Sequence, residues 1–218
     1  MKEYTRLESD SIGEMEIPES AYYGVQSLRA RENFPITGTK LHPVFIKNLA
    51  RIKRAAAITN RKAGKLKPEI SYAIESAANE VVCGMFDSEF IVDGIQGGAG
   101  TSANMNMNEV IANRAIEMLC GKKGDYTIIH PNDHVNMAQS TNDVIPTAGK
   151  LTVLDLLKPL DKSLLRLSNA LYQKSDEFDD VIKIGRTQLE DAVPMRLGQS
   201  FHAYATMISR DRDRLMKI

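Results

Sequence analysis

The feature that most constrains this chain is an apolar seam late in its sequence. Val153, Leu157, Leu160, Leu164, Leu167 and Leu171 recur at alternating spacings of four and three, and Leu154, Leu156 and Leu165 widen the stripe. That period belongs to a helix, because residues three and four apart share one helical face. A helix with so broad a stripe cannot bury it alone, so the seam predicts a bundle of long helices. Pro159 lies inside the seam and is expected to kink it.

Upstream the same period recurs in shorter runs. Pro43 suits the first turn of a helix, where its missing N–H would have had no partner. Phe45, Leu49, Ile52 and Ala56 follow it, with Gly64 as the stop. A second helix starts at Pro68, carries Ile70, Ile74, Ala77 and Val81 on one face, and ends before Gly84. A third is expected from about Ala103 to Leu119, with a stripe of Met107, Ile111, Ala115 and Met118 closed by Gly121. Before them, Thr5 to Pro18 alternates weakly around Ser11-Ile12-Gly13-Glu14 and reads as a short hairpin or extended arm. After the seam, Asp179 to Pro194 reads as a break, and a last amphipathic helix begins near Met195. Arg210 to Ile218 contains no Gly, Asn or Pro, so that helix is expected to run on past Ile218.

Composition narrows the function classes. Twenty-eight basic and 28 acidic side chains give no net charge, without the basic excess of a nucleic-acid binder. The polar, charged opening Met1-Lys2-Glu3-Tyr4-Thr5-Arg6 is no secretory h-region, and no apolar run approaches the roughly 20 residues that span a bilayer. Cys83 and Cys120 match no metal or redox spacing and are expected to be small buried apolar residues in a reducing cytoplasm.

Three polar clusters stand out against this background. Gly97-Gly98-Ala99-Gly100-Thr101-Ser102 precedes the third helix. Its glycines allow a close backbone approach, and its hydroxyls and free N–H groups could hold an anion. Its plain alternative is a flexible loop with a Thr or Ser N-cap. Gln139-Ser140-Thr141-Asn142-Asp143 precedes the long helix; capping explains one of these side chains, and four adjacent donors would suit a carboxylate. Gly185-Arg186-Thr187-Gln188-Leu189-Glu190-Asp191-Ala192 lies in the break, as a site loop or a solvated connector. A fourth stretch, His130-Pro131-Asn132-Asp133-His134, has histidines four apart. Pro131 argues against a regular helix there and no third ligand lies nearby, so a loop supporting a neighbouring site is expected and no metal site.

Together these stretches resemble the fumarase/aspartase superfamily. The likeness is carried by Gly97 through Ala115, His130 through Asn136, Gln139 through Asp143 and Gly185 through Ala192. Arg6 through Glu14 and Tyr23-Gly24-Val25-Gln26 fit as well. Within the superfamily, Ser102 stands where fumarases generally carry Gln, and Gln188 where they carry His, which makes the chain more similar to the aspartase branch.

The resemblance implies a mainly α fold: a helical N-terminal domain over 1–140 with a short β arm, then the first part of a helix bundle over 141–218. It implies reversible elimination of ammonia from L-aspartate to give fumarate, without a cofactor, in a cytoplasmic homotetramer. A fumarate hydratase-type lyase and a non-catalytic scaffold on the same fold are the alternatives. By resemblance Thr101, Ser140 and Thr141 hold the β-carboxylate, Asn142 and Gln188 the amino group, and Thr187 the α-carboxylate. The family's general base is a serine on a Gly-Ser-Ser-x-Met-Pro loop, which these 218 residues do not contain. The loop is expected beyond Ile218, and the 218 residues alone are expected to be inactive and to self-associate.

Overall fold

The computed structural model describes residues 4–217; Met1, Lys2, Glu3 and Ile218 lie outside it, so the reading of the first three and the expected continuation past Ile218 do too. The chain is mainly helical and forms two compact units, Met1–Thr152 and Val153–Ile218, which divide inside the long helix rather than ahead of it.

The first unit opens with an antiparallel hairpin, β1 (Thr5–Ser9) and β2 (Glu14–Pro18). Arg6 ties this arm to the next turn, donating to the carbonyls of Pro18, Ala21 and Tyr23 at 2.8–3.0 Å while pairing with Glu8 at 2.8 Å. Helices α1 (Val25–Asn33), α2 (Pro43–Lys62), α3 (Pro68–Val82) and α4 (Thr101–Met118) follow. Pro43 and Pro68 each occupy a first turn, as their lack of an N–H dictates.

α4 is the axis of this unit. Ala103 through Asn113 are all buried, and α1, α2 and α3 pack around the helix. Met107, Ile111 and Ala115 of the expected stripe lie in the core, joined by Val110, Ala112 and Ile116. On α2 the buried face is Ile46, Leu49, Ala50, Lys53 and Ala57, so the stripe read from Phe45, Ile52 and Ala56 marks its half-buried flank. α4 ends one residue early, and the left-handed position is Cys120 (φ 60°), not Gly121. Gly121 is required for another reason: a Cβ there would lie 2.5 Å from Ile128 and 2.7 Å from Ile116. Cys83 and Cys120 are both exposed, which corrects the expectation of burial. Each sits just past a helix end, where the chain turns outward.

Two buried carboxylates hold the start of α1. Glu109 of α4 accepts from the backbone N–H groups of Gly24, Gln26 and Ser27 at 2.8–3.0 Å and from the Ser27 hydroxyl. Glu8 accepts from Val25 N–H at 3.0 Å and from the Tyr126 hydroxyl at 2.8 Å. Burial pushes the pKa of Glu109 up to about 7 against the pull of these hydrogen bonds; when ionised, it meets both the helix dipole and the N–H groups that lack partners within the helix. The α1 N-cap, Gly24, has no side chain to do this itself.

α5 (Thr141–Glu177) is one continuous helix of 37 residues, so Pro159 does not interrupt it. In the second unit α6 (Leu197–Leu215) runs back along the later part of α5. Tyr172 meets His202, the Ser168 hydroxyl bonds the Ala205 carbonyl, and Arg212 pairs with Asp161. Half of the seam, Leu157, Leu164 and Leu171, is half-buried, while Val153, Leu160 and Leu167 are exposed. The expected break at 179–194 is instead an antiparallel hairpin, β3 (Ile182–Thr187) and β4 (Glu190–Arg196). Met195 therefore belongs to a strand, and α6 begins two residues later. Among the described residues no helix is long and apolar enough to cross a membrane.

Candidate active site

α4 and α5 bring the first two polar clusters together at their N-termini. The α4 N-cap is Gly100 in a left-handed conformation (φ 87°), with no side-chain cap. A Cβ there would lie 2.9 Å from Ile145 of α5, so the glycine serves both the backbone angle and the approach of the two helices. Gln96 performs the capping from a distance: its Oε1 accepts from Ala103 N–H at 2.7 Å. This corrects the alternative of a Thr or Ser cap. It leaves Thr101, exposed at the first position of α4, without a capping duty.

At the start of α5, Ser140 takes the capping role. Its Oγ accepts from Asn142 N–H at 3.2 Å and its carbonyl from Asp143 and Val144 N–H at 3.1 Å. Thr141 faces α4, and its Oγ1 accepts from Asn104 Nδ2 at 3.2 Å. Asn104 lies three residues beyond Thr101, nearly one turn along the same helix, so this bond ties the start of α5 to the opening turn of α4. Ser140 and Asn142 are exposed, Thr141 half-buried. Two converging helix starts with spare hydroxyls present partial positive charge and donors, the arrangement that attracts a carboxylate.

Behind this surface is a polar layer that the sequence did not announce. Lys53 of α2 is fully buried and donates to Asn136 Oδ1 at 2.7 Å; burial lowers its pKa to about 7. Asn104 Nδ2 donates to the same oxygen at 3.1 Å, and Asn136 Nδ2 to the Gln139 carbonyl at 3.1 Å. Lysine, asparagine and glutamate inside a helix pattern ordinarily mean solvent, so the pattern gave Lys53, Asn104 and Glu109 no signal beyond their interruption of apolar faces, although Asn104 and Glu109 lie in the stretch that carries the family likeness.

Asn136 follows a single π-helical turn, Pro131–Val135. His130 Nδ1 accepts from Asn132 and Asp133 N–H at 3.2 Å, and His134 Nδ1 from His130 N–H at 2.8 Å. Both Nδ1 atoms are thereby engaged as acceptors within the turn. Burial lowers the pKa of His134. Among the described residues no three His, Cys, Asp or Glu side chains are grouped to hold a metal.

The third cluster belongs to the second unit. Thr187 closes β3 opposite Glu190, with Gln188 and Leu189 at the hairpin tip, both with positive φ (49° and 66°). Thr187 and Gln188 are exposed, and Arg186 pairs with Asp191 at 3.2 Å beside them.

A family profile described as "Lyase" matches residues 13–218. The chain belongs to this lyase family. It is 54% identical over 210 residues to an aspartate ammonia-lyase of a Bacillus species, covering 96% of this chain and 45% of that protein. A second aspartate ammonia-lyase, from Bacillus subtilis, is 54% identical over 214 residues, with 98% and 45% covered. A class II fumarate hydratase of Halobacterium salinarum is 50% identical over 216 residues, with 99% and 46% covered. The crystal structure of a "fumarate lyase:delta crystallin" from Brucella melitensis superposes with a TM-score of 0.91 at 50% identity, over 98% of this chain and 50% of that one. The chain thus spans about half the length of the curated relatives it matches.

Proposed function

We propose that the complete protein eliminates ammonia from L-aspartate to give fumarate. The observation that carries this reading is the meeting of two donor-rich helix starts, α4 and α5, through the Asn104–Thr141 bond. The likeness to aspartate ammonia-lyases over nearly the whole chain supports it.

The chemistry explains why neutral donors suit this site. Removing a proton from Cβ of aspartate leaves an electron pair that the adjacent carboxylate must absorb as a doubly charged enediolate. That pair then returns to form the carbon–carbon double bond as ammonia leaves. Donors fixed in advance around the carboxylate stabilise the growing charge without reorganising, and such preorganisation usually contributes more to the rate than any other single effect. In this reading Thr101, Ser140 and Thr141 hold the β-carboxylate, Asn142 and Gln188 the amino group and Thr187 the α-carboxylate. By resemblance the proton passes to a serine on the family's Gly-Ser-Ser-x-Met-Pro loop.

The reaction is redox-neutral and needs no redox cofactor. We read the exposed half of the α5 seam as the face that joins copies into a homotetramer, and place the protein in the cytoplasm, where exposed Cys83 and Cys120 stay reduced.

A second reading, hydration of fumarate, is favoured by the Halobacterium relative. Ser102 and Gln188 weigh against it, standing where fumarases generally carry Gln and His. The test is to supply the complete protein with L-aspartate or L-malate and follow fumarate by its ultraviolet absorbance. Fumarate from aspartate alone is expected. Fumarate from malate alone would establish the second reading, and turnover of neither would point to a scaffold.

A further inference from the structure

Lys53 has no part in the reaction as set out above, yet a chain of hydrogen bonds runs from its buried amine to Thr141. It donates to Asn136 Oδ1, which also accepts from Asn104 Nδ2, and the same Nδ2 donates to Thr141 Oγ1. Asn104 Oδ1, meanwhile, is buried without a partner among the described residues. Such an orphan costs about 1–3 kcal/mol, so something must prevent Asn104 from turning over to satisfy it.

Lysine supplies the constraint. The Lys53 amine donates and the Gln139 carbonyl on the other side can only accept, whereas a carboxamide has one accepting and one donating end. Asn136 must therefore turn its oxygen to Lys53, and its nitrogen then points at the Gln139 carbonyl, which can only accept. With that oxygen fixed, Asn104 must present its nitrogen, since turning over would set two acceptors against each other. Because the direction follows from the lysine donor on one side and the Gln139 carbonyl on the other, it does not depend on telling amide nitrogen from oxygen. Asn104 therefore donates to Thr141 Oγ1, and the Thr141 proton is free to point away from Asn104. Were Asn104 reversed, its Oδ1 would draw that proton inward.

We propose that Lys53 is a positioning residue that fixes Thr141 as a hydrogen-bond donor to the substrate carboxylate. The inference rests on the placement of Thr141 given under the proposed function. Lys53 acts through Asn136 and Asn104 and does not touch the substrate.

The test is a double-mutant cycle in the complete protein, with succinate, a dicarboxylate lacking a leaving group, as the calorimetric probe. Lys53→Met keeps the volume and removes the donors; Asn104→Asp keeps the shape and offers only acceptors to Thr141. Each is expected to weaken succinate binding about tenfold, the scale of one misdirected hydrogen bond. In a Thr141→Val background the Lys53→Met effect should vanish, because the group it directs is gone, while Asn104→Asp should keep only the repulsion between its carboxylate and the dicarboxylate. A purely structural role would instead give losses that add to that of Thr141→Val. Additive losses, or wild-type binding in both single variants, overturn the inference. If Lys53→Met does not fold, Lys53→Gln, whose amide can turn either end to Asn136, replaces it in the cycle with the same expected and overturning results. A wild type that binds succinate but makes no fumarate contradicts the proposed reaction and leaves the cycle readable. A wild type that binds no succinate removes Thr141 from its place and this inference with it.

Discussion

Replacing Gly24 by alanine should unfold the first unit, although its backbone (φ −123°) is open to any residue. The reason is steric and local. A Cβ at Gly24 would lie 2.4 Å from Tyr126 Oη, 2.7 Å from Glu8 Oε2 and 2.8 Å from Glu109 Cδ. Relaxed contacts need roughly 3.5 Å or more, so each neighbour must retreat by about 1 Å. These side chains cannot swing away freely, because they hold the start of α1. Glu109 bonds three backbone N–H groups, and Glu8 bonds Val25 N–H and Tyr126. Overpacking costs about 1–3 kcal/mol, and weakening two hydrogen bonds to buried carboxylates adds roughly 1.5–3 kcal/mol each. The sum, about 4–9 kcal/mol, is comparable to the whole stability of a typical domain. Denaturant unfolding of Gly24→Ala, followed by far-ultraviolet circular dichroism, should show little or no folded baseline for this unit. A loss below about 1 kcal/mol would refute the picture of α1 held by two immobile carboxylates.

Other outcomes follow from the same geometry. Gly149, inside α5 with open space where a Cβ would sit, should gain about 0.5–1 kcal/mol on replacement by alanine, read as a raised denaturation midpoint. Glu109→Gln should cost roughly 2–4 kcal/mol in denaturant unfolding, because its amide turns a donor toward one of the N–H groups now bound. Lys53 should make stability depend on pH. Above about 10.5 the amine is neutral in both states; as pH falls toward 7 the unfolded chain takes up a proton that the buried amine refuses. Stability relative to Lys53→Met should therefore fall between pH 10.5 and 7, by on the order of 4–5 kcal/mol, and level off below. Parallel wild-type and variant stability curves across that range would contradict the burial of the amine.

What could be read from the sequence was whatever a period or a helix start encodes. The leucine run of α5, the proline starts of α2 and α3 and the hairpin at Thr5–Pro18 declare themselves through spacing and backbone chemistry alone. So does the polar start of α5, because hydroxyls and amides gather where N–H groups lack partners. The second hairpin did not: its tip is Gln188-Leu189 rather than the Asn-Gly or Gly-Gly that signals a tight turn, so the strands on either side looked like a connector. Lys53, Asn104, Asn136 and Glu109 were illegible for a different reason. Each is a polar side chain wholly or partly withdrawn from solvent by a partner distant in sequence, and only the packing of α1, α2 and α4 reveals the partner. Cys83 and Cys120 erred the opposite way, since their type suggests burial and their place past a helix end exposes them.

Neutral donors around a carboxylate whose charge grows in the transition state are the core of the proposed chemistry. Single replacements Thr101→Val, Ser140→Ala and Thr187→Val in the complete protein, with fumarate release from L-aspartate followed over time, address them one at a time. Each should lower kcat by roughly 10²–10³ while the protein stays folded. Unaltered turnover in all three would contradict it.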